Sequence, residues 1–162
     1  MPPLHPDLEH VAMLLGTWSG RGRGEYPTIE SFDYDETITF GHVGKPFLVY
    51  GQRTRSVATP PAPLHAETSY WRFPAPGRVE VVLSHPSGIT EVEEGSIARD
   101  GDRTTIELAT TQVGSTTTAK EVTALARRFL IDGDTISYEV DMAAVGQPLQ
   151  FHLAATLHRT DG

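Results

Sequence analysis

Cysteine is missing from all 162 residues, which excludes disulfides, iron–sulfur clusters and thiolate ligation of any metal. A protein-bound metal would have only His, carboxylate, Tyr or Met to hold it. Basic side chains are also scarce, 13 against 21 acidic ones for a formal charge of −8, and no Lys/Arg cluster interleaves with aromatics. A surface of that sign repels a polyanion, so nucleic acid is not an expected partner. No apolar run reaches the roughly 18 residues needed to span a bilayer, and the opening MPPLHPDLEHVAMLLG has no basic region ahead of an apolar one. These gaps predict a soluble, cytoplasmic protein without a membrane partner. Absent too are a Gly-x-Ser-x-Gly elbow, a His-Glu-x-x-His pair and any His–carboxylate cluster at metal-ligand spacing, so hydrolase machinery is not visible.

What is present is mostly strand. Helical spacing of Leu8, Val11, Ala12, Leu14 and Leu15 after Pro6-Asp7, with Gly16 as a stop, predicts one short amphipathic helix. Turn residues then separate ten expected strands: Gly16–Tyr26, Phe32–His42, Phe47–Val57, His65–Phe73, Arg78–Ser84, Thr90–Arg99, Thr104–Gln112, Lys120–Ile131, Thr135–Met142 and Leu149–Arg159. At 162 residues the chain fits a single domain, residues 1–162. Ten hairpin-linked strands curl rather than stay open, which predicts an all-β, ten-stranded antiparallel up-and-down barrel, with a two-sheet sandwich as runner-up. A barrel of that size is expected to enclose a cavity.

Three features bear on what the cavity holds. In the first strand Trp18, Gly20, Gly22 and Gly24 share a face, and glycine at alternate positions marks a bend, a close backbone approach or a bulky ligand. In the last strand strict alternation puts Leu149, Phe151, Leu153, Ala155 and Leu157 on one face and Gln150, His152, Ala154, Thr156 and His158 on the other. With the polar face inward, His152 is the candidate metal ligand and the leucines form an outer stripe. That stripe requires cover from the helix or a second subunit, so a homodimer is expected. Among the other histidines, His5 and His10 are expected in solvent, His42 and His85 beside turns as backbone caps, His65 at a barrel rim and His158 at a rim or in solvent. The Glu91-Val-Glu93-Glu94 run reads as a mostly solvated strand edge.

The run Gly16-x-Trp18-x-Gly20-x-Gly22-x-Gly24-x-Tyr26-Pro27-Thr28-Ile29 resembles the signature of the nitrobindin family at every fixed position. The resemblance extends through Phe40–Phe47, Leu64–Glu67, His85–Ile89, Ala119–Val122 and Leu149–Leu153. It implies a ten-stranded barrel holding one ferric haem b per subunit at one end, with His152 as the protein ligand to iron. Lys120, Thr28, Leu64, His65 and Met142 are the implied further haem contacts, and the glycine strand is expected to let the flat macrocycle lie against backbone. The implied activity is peroxynitrite isomerisation to nitrate, with nitric oxide binding. From the residues alone, a carrier of fatty acid or another apolar ligand and a non-catalytic interaction module remain open.

Overall fold

Leu8, Val11 and Leu14 are fully or almost fully buried and recur every three residues, the period of a 3-10 helix. The computed structural model, which describes residues 1–160, indeed forms that helix over Pro6–Leu14, with Pro6 at its start and the His5 ring accepting a hydrogen bond from the Asp7 amide. Ten strands follow: β1 Gly16–Tyr26, β2 Ile29–Gly41, β3 Phe47–Ser56, β4 Pro63–Arg72, β5 Arg78–His85, β6 Ile89–Asp100, β7 Arg103–Ser115, β8 Val122–Asp132, β9 Thr135–Ala144 and β10 Gln150–Arg159. Each pairs antiparallel with its sequence neighbour, and β1 pairs with β10 to close the barrel. Closure leaves no edge strand, and it rules out the sandwich.

Alternating direction divides the loops. Those after β1, β3, β5, β7 and β9 gather at one end, called here the loop end. The helix lies at the other, where Trp18 donates its indole N–H to the Leu14 carbonyl at 2.9 Å and Arg159 grips the carbonyls of Leu15 and Met13 at 2.6 Å each. The apolar core fills that half: Leu8, Val11 and Leu14 from the helix, with Trp18, Ile38, Leu48, Trp71, Val79, Ile106, Ile131, Ile136 and Leu157 from the wall. Burying each such leucine or isoleucine is worth about 1.5–3 kcal/mol.

The structure corrects three expectations. A Cβ on Gly20 would collide with the Thr156 carbonyl, one on Gly22 with the Tyr34 ring and one on Gly24 with the Phe32 ring. The glycine face therefore seats two aromatic rings of β2 and a neighbouring backbone, which leaves no bare face for a macrocycle. Second, mid-barrel space is filled: the cavity among Glu36, Tyr50, Gln52, Glu67, Arg127, Phe129, Tyr138, Val140 and Leu153 is only about 10 Å³. Third, strict alternation fails in β10. Phe151 pairs with Asp141 and Leu153 with Val140, leaving His152 as the extra residue of a β-bulge. Beyond the bulge Leu153, Ala155 and Leu157 lie opposite Gly24, Gly22 and Gly20 and face the interior, with Leu157 wholly buried. Phe151 instead packs under the exposed Arg23 guanidinium, 4.8 Å from its ring centre. The supposed outer stripe is thus mostly core lining, and the homodimer loses the argument that suggested it.

Candidate functional site

His152 is placed by the bulge. In an unbroken strand its side chain would point opposite to Leu153, but the extra residue lets both lean inward. Its Nδ1 lies 3.0 Å from the Glu25 carbonyl, and its ring meets the Tyr26 ring edge-on at 5.4 Å. A carbonyl only accepts, so Nδ1 carries the proton and Nε2 keeps its lone pair. Burial, the largest influence, lowers the pKa of His152 and favours the neutral ring that binds metals. Tyr26 is fixed in turn, donating its hydroxyl to the Met142 carbonyl at 3.0 Å and accepting from the Ala144 amide at 2.9 Å. Around this end Ile29, Phe32, Val57, Leu64, Val145 and Leu149 stay exposed, an apolar rim suited to a flat apolar ligand. An orienting carbonyl behind a neutral imidazole is the support a haem ligand receives, so these residues fit the group that the sequence resemblance implies.

Between this rim and the apolar half lies a charged belt. Arg127, buried on β8, reaches both oxygens of Glu67 at 3.2 and 3.3 Å, Oε2 of Glu91 at 2.8 Å and Oε2 of Glu93 at 3.3 Å. Burial, the largest influence, would raise the carboxyls of Glu67 and Glu91, but the Arg127 guanidinium and the neighbouring imidazoles, His85 for both and His65 for Glu67, together outweigh it and hold both below the usual carboxylate range. Glu93 sits at ion-pair distance without an aligned hydrogen bond, and burial pushes its carboxyl up to about 8. Burial likewise raises Glu36 to about 7, although it accepts from Gln52 and Tyr138, each at 2.7 Å. At the loop-end margin His85 Nε2 bonds Glu91 Oε2, and its Nδ1 lies 3.0 Å from His65 Nε2.

This belt overturns two sequence readings. Glu91 and Glu93 are completely or nearly completely buried, not solvated, and His85 joins a side-chain network rather than capping a turn. The cap reading does hold for His42, which accepts from the Gly44 amide at 3.2 Å. The signal for the glutamates was the turn after β5: it sets Leu83 opposite Glu91 and Val81 opposite Glu93, so these acids share the core face of Val81 and Leu83. A third reading fails as well, because His65, Glu67 and His85 converge with ligand atoms within 4.8 Å of one another.

Residues 7–159 match the model of the THAP4-like, heme-binding beta-barrel domain. The chain belongs to that family. Within it, peroxynitrite isomerase 2 of Mycobacterium avium (strain 104) is 64% identical over 96% of each chain. Peroxynitrite isomerase of Nocardia farcinica (strain IFM 10152) is 56% identical over 96% of this chain and 92% of its own. The crystal structure of Rv2717c from M. tuberculosis superposes with a TM-score of 0.95 at 56% identity, covering 98% of this chain and 99% of that one. The six residues that the sequence resemblance implies as cofactor contacts all lie toward the loop end. His152 stands on the β10 bulge and Met142 near the end of β9, while Leu64 and His65 open β4. Thr28 is exposed in the turn after β1, and Lys120 is exposed in the connection before β8. No helix among the described residues is long and apolar enough to cross a membrane.

Proposed function

We propose that this protein is a haem-dependent peroxynitrite isomerase that binds one ferric haem b per chain and also takes up nitric oxide, acting in the cytoplasm. One observation carries the reading: His152 is set inward by a bulge, kept neutral by burial and oriented by the Glu25 carbonyl, with Nε2 left for iron. Haem held there would supply a Lewis-acidic iron, the chemistry needed to rearrange peroxynitrite to nitrate. The chain's own part is to hold and orient. His152 would hold the iron through Nε2, and Tyr26 braces its ring. Lys120, exposed and cationic, would meet an acidic edge of the group, and Leu64, His65, Met142 and Thr28 would line its surroundings. The M. avium and N. farcinica relatives bear the name of that activity.

The apolar-ligand carrier finds less support, because the interior is occupied by Glu36, Gln52, Glu67 and Arg127 around a cavity of about 10 Å³. Pairing of two copies is decided by light scattering after size exclusion. The decisive test of function is hemin titration: wild type gives a stoichiometric Soret band and speeds conversion of peroxynitrite to nitrate, and His152→Ala loses both. An unchanged Soret band in His152→Ala overturns the assignment of the ligand.

A further inference from the structure

Two strands and one hairpin bring three donors together at the margin of the loop end. His65 and Glu67 are two residues apart on β4 and share a face. The register that pairs Thr68 with Ser84 sets Glu67 beside His85, the last residue of β5. His65 Nε2, His85 Nδ1 and Glu67 Oε1 form a triangle with sides of 3.0, 3.6 and 3.7 Å. Zinc bonded at about 2.0–2.1 Å to nitrogen and oxygen in a tetrahedron separates its ligand atoms by about 3.3–3.4 Å. The triangle brackets that edge length.

The surroundings have the form of a metal site's support. His85 turns its other nitrogen onto Glu91 Oε2, the carboxylate–histidine arrangement that fixes the ring for a metal. Glu67 is clamped by the Arg127 fork at 3.2 and 3.3 Å, which fixes the direction of its oxygens. Charge points the same way. Glu67, Glu91 and Glu93 all crowd the single cation Arg127. Glu91 Oε1 is buried without a hydrogen-bond partner. Glu67 is buried and His85 half-buried, whereas the His65 side chain is about one-third exposed, at 37%, which gives an ion a way in and leaves a side open for water.

We propose that His65, Glu67 and His85 form a binding site for a divalent transition metal of zinc type, separate from the iron held by His152. Two imidazoles and a carboxylate suit zinc among the divalent ions, and calcium or magnesium would require more oxygens. Equilibrium dialysis of the haem-loaded protein against micromolar zinc, with iron and zinc counted separately by mass spectrometry, gives one zinc per chain. His65→Gln and His85→Gln each weaken that binding by about tenfold or more, with circular dichroism confirming the fold. X-ray absorption at the zinc edge of the unaltered protein shows two imidazoles, a readout that needs no variant. Absence of stoichiometric zinc, retention of zinc in the double variant, or an absorption spectrum without histidine scattering each overturns the site. Because iron is counted independently, a protein that takes zinc and no haem refutes the proposed function and leaves this site standing.

Discussion

The two halves of the barrel interior are built from different material. Toward the helix, Leu8, Val11, Leu14, Trp18, Leu48, Trp71 and Ile136 pack as an ordinary core. Toward the loops the same inward positions carry Glu36, Gln52, Glu67, Glu91, Glu93 and Arg127. The apolar half stabilises the fold through area removed from water, while the charged half must recover a desolvation cost of several kcal/mol per ion through one guanidinium. A chain selected for stability alone would have no use for three acids on one cation. The placement of that belt directly under the rim of His152 and His65 ties it to the functional end.

Removing Arg127 strikes the difference hardest. Arg127→Met leaves Glu67 and Glu91 buried without a counter-ion and lowers unfolding free energy by about 3–5 kcal/mol, measured by urea denaturation near neutral pH. Leu48→Ala, in the apolar half, costs about 2–5 kcal/mol by cavity formation, and its effect is the same at pH 5 and pH 8. A comparable pH-independence for Arg127→Met would erase the contrast between the halves.

The wild-type pH profile sharpens it further. Glu36 and Glu93 titrate at about 7 and about 8 in the folded chain, above their ordinary 4.5. The folded state therefore holds more protons than the unfolded one between those values, and stability falls as pH rises from roughly 5 to 8. Glu67 and Glu91 are shifted down, so their contribution is present above the ordinary carboxylate range and is lost as pH falls below it. Thermal melts should thus peak near pH 5 and decline on both sides; a flat profile across this window would remove the charged belt from the account of stability. The smallest effect lies outside both halves. Arg128 and Glu107 pair across the outer wall at 3.4 Å with both side chains more than half exposed, and Arg128→Ala changes stability by about 0–1 kcal/mol.

The wall was legible in the sequence because its turns are punctuated by Gly, Pro and Asp and its strands alternate; β1 matches its expected bounds. The contents were less so. His152 was identified as a ligand candidate, yet period-two reading put the leucines of β10 outside, since a bulge is not visible in alternation. Glu91 and Glu93 were misplaced for a different reason. Burial of a carboxylate depends on a partner, and Arg127 lies 36 residues from Glu91, a pairing that only strand register reveals. The short N-terminal helix was also legible, although its 3-10 geometry was not: Ala12 and Leu15 were read onto the same helical face as Leu8, Val11 and Leu14.

The grip of Arg159 on Leu15 and Met13 joins positions 144 and 146 residues apart. The seam between β1 and β10 brings the same distant segments together, and its loop-closure entropy is among the largest in the chain. Zipping the cylinder shut and seating the helix against its mouth therefore draw on one and the same long-range closure, whereas the other strand pairs are each closed by a local hairpin. Gly20, Gly22 and Gly24 meet Leu157, Ala155 and Leu153 only when the last strand pairs with the first.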